Sequence, residues 1–183
     1  MPSPIAHLAA AVAAGVAAPA GSPLRARRAL LAAAIASVIP DADLLLSATL
    51  PGGIAWHHGP THSLFGAALL GCLVALAARL RGTAGLWVVV SAVLHPLFDW
   101  QLGLPGQPPT FGVPLFWPMR EARYVAAHPI FRPFGIHEPG FLANMFTRSA
   151  VEPYAREVVF AAVVLGYAFF AGRWSGRGQA DRN

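Results

Sequence analysis

The sequence predicts an all-α fold, a polytopic helical membrane bundle of about four to five spans with a long extracytoplasmic cap region. Three observations predict it. Only 11% of the 183 residues are charged and 56% are hydrophobic, with a mean hydropathy of +0.54, whereas a soluble domain carries about 25% charged residues to cover its surface. Five apolar stretches, residues 5–18, 29–46, 64–80, 84–98 and 158–172, contain no Lys, no Glu and no Arg other than Arg79. Arginine is concentrated after the first, third and fifth of these stretches.

Each stretch is measured against the bilayer. At 1.5 Å per residue a helical span needs about 17–25 residues. Residues 29–46 and 64–80 are long enough, while 84–98 and 158–172 need flanking residues to cross. The alanine-rich stretch 5–18 is the weakest, with a re-entrant or bundle-buried helix as the alternative. Residues 19–28, 47–63 and the short 81–83 turn connect the first four stretches. The connection 100–157 is crowded with Pro, Gly and aromatic residues, and is too long for a simple bundle link, so it reads as a cap over a site. Residues 1–172 are thus expected to form a single membrane-embedded domain, and 173–183 a polar, disordered tail.

Arg25, Arg27 and Arg28 follow the first stretch, Arg79 and Arg81 the third, and Arg173, Arg177 and Arg182 the fifth. The positive-inside rule then puts these connections in the cytoplasm and residues 47–63 and 100–157 outside. The absence of a basic side chain in the first six residues argues against a cleaved signal peptide. The net charge of +5 forms no basic stripe, so no nucleic-acid partner is expected; the lipid bilayer is. Cys72 is the single cysteine and reads as core, which excludes an internal disulfide or a thiolate zinc site.

Ionisable groups in apolar surroundings are costly unless paired, hydrated or metal-bound. Asp41 and Asp43 stand in IPDADLL, where Pro40 loosens the helix and lets both carboxylates turn toward one site. His95 and Asp99 in LHPLFDW are four apart, one helical turn on one face. His57, His58 and His62 lie in WHHGPTHSL, and His7 begins the first stretch. With alternating spans, all eight fall at one membrane face. Unrelated polar residues would be divided between two faces, so the segregation points to one cluster. Imidazole and carboxylate donors together suit zinc, manganese or iron. Taken singly, Asp41 also reads as a helix cap, His95 with Asp99 as a hydrogen-bonded pair, and His57 or His58 as solvent-exposed. His128 and His137 read as surface residues.

The early His in AHLAAAVAAGV, the PDAD segment, HHGPTHSL, LHPLFD and GVPLFWP, in this order over about residues 5–118, resemble the bacterial membrane-bound, metal-dependent hydrolase family typified by a LexA-regulated inner-membrane protein. That family is distantly similar to zinc-dependent phospholipase C and the single-strand nucleases. The resemblance implies His7, Asp41, His62, His95 and Asp99 as metal ligands. It implies Asp43 and His57 as groups that orient ligands, bridge ions or carry protons. The chain departs from the family where His58 replaces an Arg, where Ala6 replaces a Thr, and in a longer interval from Asp99 to Gly112.

The expected function is therefore metal-assisted hydrolysis of a phosphodiester or phospholipid-type substrate at the extracytoplasmic face of a bacterial inner membrane. A divalent cation, zinc first, activates water while Asp43 or His57 transfers protons. Arg120, Arg123 and His58 are the expected substrate contacts, because the arginine fork matches phosphate. The alternatives are a small transporter or stress-response partner that binds protons or metal through the same residues, and a structural bundle held by His/Asp contacts.

Overall fold

The structure, a computed structural model, describes residues 3–44, 57–104, 112–133 and 145–180, the last segment with side chains as far as Trp174. It is all-helical. Helices α1 (Pro4–Ala17), α2 (Arg27–Val38), α3 (Leu64–Ala77), α4 (Gly82–Trp100) and α5 (Val151–Ala180) are accompanied by 3-10 turns at Pro23–Arg25, Ile39–Ala42, Pro60–His62 and Arg148–Ala150. Among the described residues two isolated β-bridges, Leu102 with Phe131 and Val113 with Tyr124, are the extended pairings. The expected loop at 47–63 lies largely outside the described residues, as do His137 and the end of the tail.

Local chemistry sets the helix ends nearest the cluster. Ser3 caps α1 by accepting from the Ile5 N–H, with Pro4 at the first helical position, where its missing N–H costs nothing. Helix α2 stops at Val38, because Pro40 cannot donate to the ladder and the chain tightens into Ile39–Ala42. The stretch expected over 29–46 is thus a 12-residue helix followed by a turn that carries Asp41. Ser63 caps α3, accepting from the Gly66 N–H at 2.9 Å and donating to the Pro60 carbonyl at 2.7 Å. A Cβ at residue 66 would collide with that carbonyl, so glycine is required there.

The interior is built from small side chains. Ala11, Ala32, Ala33, Ala36, Ala75, Val88 and Ala92 form the main buried cluster. Gly71 lets α3 approach α4 so closely that a Cβ there would lie 2.8 Å from Val89 Cα. Trp87 of α4 donates its indole N–H to the Ala11 carbonyl of α1 at 2.8 Å. The large apolar side chains face outward: Leu76 is 74% exposed, Phe170 70%, and Leu31, Ile35, Leu69, Leu73, Leu86 and Val163 all exceed half. Small residues between helices and large ones outside is the arrangement that lipid favours, since close backbone approach and not water exclusion drives packing there. Cys72, read from sequence as core, is on this exterior.

Two helical segments, Gly82–Trp100 and Arg148–Trp174, are long and apolar enough to cross a membrane. Helices α1 and α3 have 14 residues each, about 21 Å against a hydrocarbon core of about 30 Å. The fifth helix begins earlier than the apolar stretch 158–172 suggested and takes in Glu152, Arg156 and Glu157. Arg156, awkward beside an apolar span, is paired with Glu152 one turn away at 3.0 Å.

Residues 112–133 of the expected cap fold back on the helix ends. The Leu115 carbonyl accepts from the Leu64 N–H at the start of α3. Ala126 donates to the Trp100 carbonyl and Phe131 to the Gln101 carbonyl at the end of α4. Phe131, 1% exposed, packs edge-on against Phe98 and Phe160.

Candidate metal centre

Four chain segments deliver the polar cluster to one end of the bundle. His7 comes from the first turns of α1, Asp41 and Asp43 from the turn that ends α2, His57, His58 and His62 from the residues before α3, and His95 with Asp99 from the last turns of α4. All eight meet. His57 and His58, one of which the sequence suggested would face solvent, are 4% and 3% exposed.

The centre of the cluster is a cage of four atoms. His62 Nε2 lies 3.3 Å from Asp41 Oδ1 and 3.3 Å from Asp99 Oδ2. His95 Nε2 lies 3.4 Å from Asp41 Oδ1, 3.2 Å from Asp99 Oδ2 and 3.2 Å from His62 Nε2. A tetrahedron whose corners stand about 2.0–2.1 Å from its centre, the usual zinc–nitrogen or zinc–oxygen distance, has edges of about 3.3–3.4 Å. The five separations match those edges. Two carboxylates also balance the charge of a divalent ion.

The hydrogen bonds around the cage aim its nitrogens inward. His95 Nδ1 is 2.7 Å from the Ser37 carbonyl, which can only accept, so Nδ1 carries a proton and, when the ring is neutral, Nε2 is bare toward the cage. His62 Nδ1 is 3.1 Å from Asp43 Oδ2, a carboxylate that likewise only accepts. Asp43 takes a further bond from Thr61 Oγ1 at 2.8 Å and one from His57 Nδ1 at 2.7 Å. Such a carbonyl or carboxylate behind each imidazole is the support that metal-ligating histidines use. With both Nε2 atoms bare, the cage juxtaposes lone pairs, which repel unless a cation or a proton lies among them.

Outside the cage, buried atoms are left over. Both ring nitrogens of His7, Nε2 of His57 and of His58, and Asp99 Oδ1 have no hydrogen-bond partner. His7 stacks on His95 with ring centroids 4.1 Å apart and planes inclined by 17°, and the two offer donor atoms within 4.8 Å of one another and of Asp99. In the 57–62 segment, burial and then the neighbouring His62 hold the His58 pKa well below the usual imidazole range. Burial also lowers His57, against the opposing bond to Asp43. At His62 burial opposes the charged ring, but the bonds to Asp41 and Asp43 outweigh it and raise its pKa. The pocket favours positive charge at its centre.

Arg120 is exposed, and Arg123 donates to the Gly112 carbonyl at 3.0 Å. Thr61 and the Ser37 carbonyl are the supporting groups that sequence reading passed over; Thr61 stands beside His62 in the THS motif, whereas a backbone carbonyl leaves no mark in a sequence.

No curated protein and no solved structure matches this chain. The family model described as YdjM inner membrane protein does match, over residues 1–177, a span that takes in α1 to α4, all but the last three residues of α5, and all eight residues of the cluster. With its apolar exterior and two helices of crossing length, the chain belongs to the YdjM inner membrane protein family.

Proposed function

We propose that this inner membrane protein is a metal-dependent hydrolase whose buried cage holds a divalent cation, zinc first and manganese or iron next, and which cleaves a phosphodiester or phospholipid-type substrate. The observation that carries the reading is the set of 3.2–3.4 Å separations among Asp41, His62, His95 and Asp99. When bound, the ion supplies Lewis acidity and lowers the pKa of water. The residues do the rest. Ser37 and Asp43 fix the imidazoles of His95 and His62, His7 offers a further donor beside His95 and Asp99, and His57, backed by Asp43 at Nδ1 and without a partner at Nε2, would take the proton that water loses.

A lipid or lipid-linked substrate is favoured by position. The site lies at the ends of helices whose flanks expose Phe65, Leu69 and Leu73, so a headgroup at that level is within reach while its chains remain in the hydrocarbon. The same exterior supports a multi-pass arrangement of about four to five crossings. Arg25, Arg79, Arg81 and Arg173 stand at the helix ends opposite the site, which favours an extracytoplasmic site.

The test is elemental analysis of protein purified in mild detergent without chelator, alongside hydrolysis of a chromogenic phosphodiester and of phospholipid vesicles. The expected result is stoichiometric metal and turnover of one of these substrates in the wild type, with both lost in His95→Ala and Asp99→Ala. A wild type that stays metal-free after resupply overturns the reading.

A further inference from the structure

We propose that a groove between the segment 112–133 and α5 holds one phospholipid of the surrounding bilayer, with an acyl chain in the groove and an anionic headgroup against Arg156 and Arg132. The groove is separate from the cage, and the lipid it holds is a resident, not a substrate.

Among the described residues, a groove of about 360 Å³ is lined by Ile130 on one side and by Ala155, Arg156, Val159 and Phe160 of α5 on the other. That volume is in the range of small-molecule sites. Arg156 is the one polar side chain of the lining. Val159 is exposed, as are Val163 and Phe170, four and eleven residues further along α5 and on the same helical face. The helix is of crossing length over Arg148–Trp174, so this face meets hydrocarbon, and Val159 belongs both to it and to the groove. The level is set by Glu157, which bonds Ser3 and Ala6 at the start of α1. Residues 155–160 therefore stand at the His7 end of the bundle, where headgroups give way to chains.

Charge at the groove's head selects the occupant. Arg132 Nε and Arg156 Nε converge on one oxygen of Glu152, at 3.3 and 3.1 Å. Neither arginine has another acidic partner among the described residues, so one positive charge is left uncompensated. Both guanidinium groups are braced by backbone, Arg156 Nη1 on the Ile130 carbonyl at 3.3 Å and Arg132 Nη1 on the Gly103 carbonyl at 3.5 Å. A planar fork held in place beside a spanning helix suits a phosphate headgroup. A second copy of the chain, itself carrying +5, is a poor complement for the same charge.

Aromatic rings close the groove off from the metal cluster. Phe160 packs edge-on against Phe98 and Phe131, each at 5.3 Å, and Phe98 lies 5.5 Å from the His7 ring. Phe98 thus stands between the groove and His7. A lipid in the groove neighbours the cluster without entering it, and it joins the segment that carries Ile130 to α5.

The experiment is native mass spectrometry of the full chain released from mild detergent micelles doped with phosphatidylglycerol or with phosphatidylcholine. The wild type is expected to retain a phosphatidylglycerol molecule and to hold phosphatidylcholine more weakly. Val159→Trp fills the groove from an exposed position and is expected to lose the lipid, whereas Leu69→Trp, the same bulk on the exposed flank of α3, keeps it. Arg156→Gln is expected to weaken phosphatidylglycerol about fivefold, the worth of one charge beside an anionic headgroup, and Glu152→Gln to strengthen it by as much. A gain of affinity cannot come from a damaged fold. Stripping the protein with chelator leaves retention unchanged. Equal retention in Val159→Trp and wild type, or no preference between the two lipids, overturns the site. Lipid lost on chelation places it at the cage and overturns the groove, and a wild-type dimer that Val159→Trp dissolves makes a second copy the occupant and overturns it too.

Discussion

His95 reaches across from α4 to α2 and donates its Nδ1 proton to the Ser37 carbonyl at 2.7 Å. That single bond decides which face of the imidazole is available. It also ties the last turns of one helix to the end of another, so that the residues after Ser37, including Asp41, arrive at a fixed height beside His95. The cage is therefore a property of helix packing, and not of any local loop.

Replacing His95 tests this directly. His95→Gln removes the Nε2 donor while keeping a polar side chain of similar reach. Metal affinity is expected to fall by more than the ~10–100-fold that outer hydrogen-bond partners are worth, measured by competition with a chelating dye. Asp99→Asn is expected to fall as far, since it also removes one of the two charges that balance the ion. Retention of wild-type affinity in both variants would sink the cage.

Asp43 should be separable from the ligands. It contacts His57, His62 and Thr61 through its two oxygens, and it orients imidazoles that act elsewhere. Asp43→Asn is expected to weaken metal binding by ~10–100-fold, with Thr61→Ala at the lower end of that range because it removes one bond of several. A complete loss in Asp43→Asn would make it a ligand.

Acid should release the metal. Protons compete with a cation for imidazole nitrogens, and the bonds to Asp41 and Asp43 raise the His62 pKa above the ordinary imidazole value, so affinity is expected to begin falling already above about pH 6.5 and to decline progressively below it. Titrating metal release with a dye from pH 8 to pH 5 checks the sign. Chelator at pH 8 should reproduce the low-pH state, with a lower melting temperature, because a ligand that binds only the folded chain stabilises it. Binding that strengthens as pH falls would exclude imidazole ligation.

The site was more legible in the sequence than the helices were. His95 and Asp99 are four apart, and one helical period suffices to put them together. Asp41 and His7 follow from alternation of helices, because each begins or ends an apolar stretch at the same end of the bundle. What alternation cannot reveal is burial inside a connection: His57 and His58 look exposed beside Gly59 and Pro60, yet Asp43 and His62 draw them inward. Helix length was lost for a similar reason. Apolar composition continues past Val38, but Pro40 ends the hydrogen-bond ladder there. Cys72 was misplaced because in this bundle an apolar neighbourhood marks the outside as well as the core.

Close approach of α3 to α4 should be needed for the cage, since α3 follows His62 directly and α4 carries His95. At Gly71 a Cβ would stand 2.8 Å from Val89 Cα and 3.0 Å from Ala92 Cβ, so Gly71→Ala already pushes on backbone. Gly71→Val is expected to cost about 1–3 kcal/mol by overpacking. It should also weaken metal binding although residue 71 touches no ligand. Thermal unfolding and metal competition on the same sample check both. A stable variant with wild-type affinity would show that the hairpin tolerates separation.

Glu157 is the buried acid that the sequence reading left in the cap connection. The structure places it on α5, 1% exposed, against the start of α1. Its carboxylate accepts from the Ser3 N–H and Ser3 hydroxyl, each at 2.6 Å, and from the Ala6 N–H at 3.3 Å. It thereby satisfies donors that a helix start leaves unpaired, and its charge complements the positive end of the helix dipole. Glu157→Ala leaves at least two backbone N–H groups buried without partners, each worth about 1–3 kcal/mol. A loss of about 3 kcal/mol is expected, or roughly 6–12 °C in melting temperature for a chain of this size. Ser3→Ala removes only the hydroxyl and should cost about 1 kcal/mol. Because the two residues share their bonds, the double variant should cost less than the sum. Additive losses would mean that Glu157 supports the bundle by some route other than the start of α1.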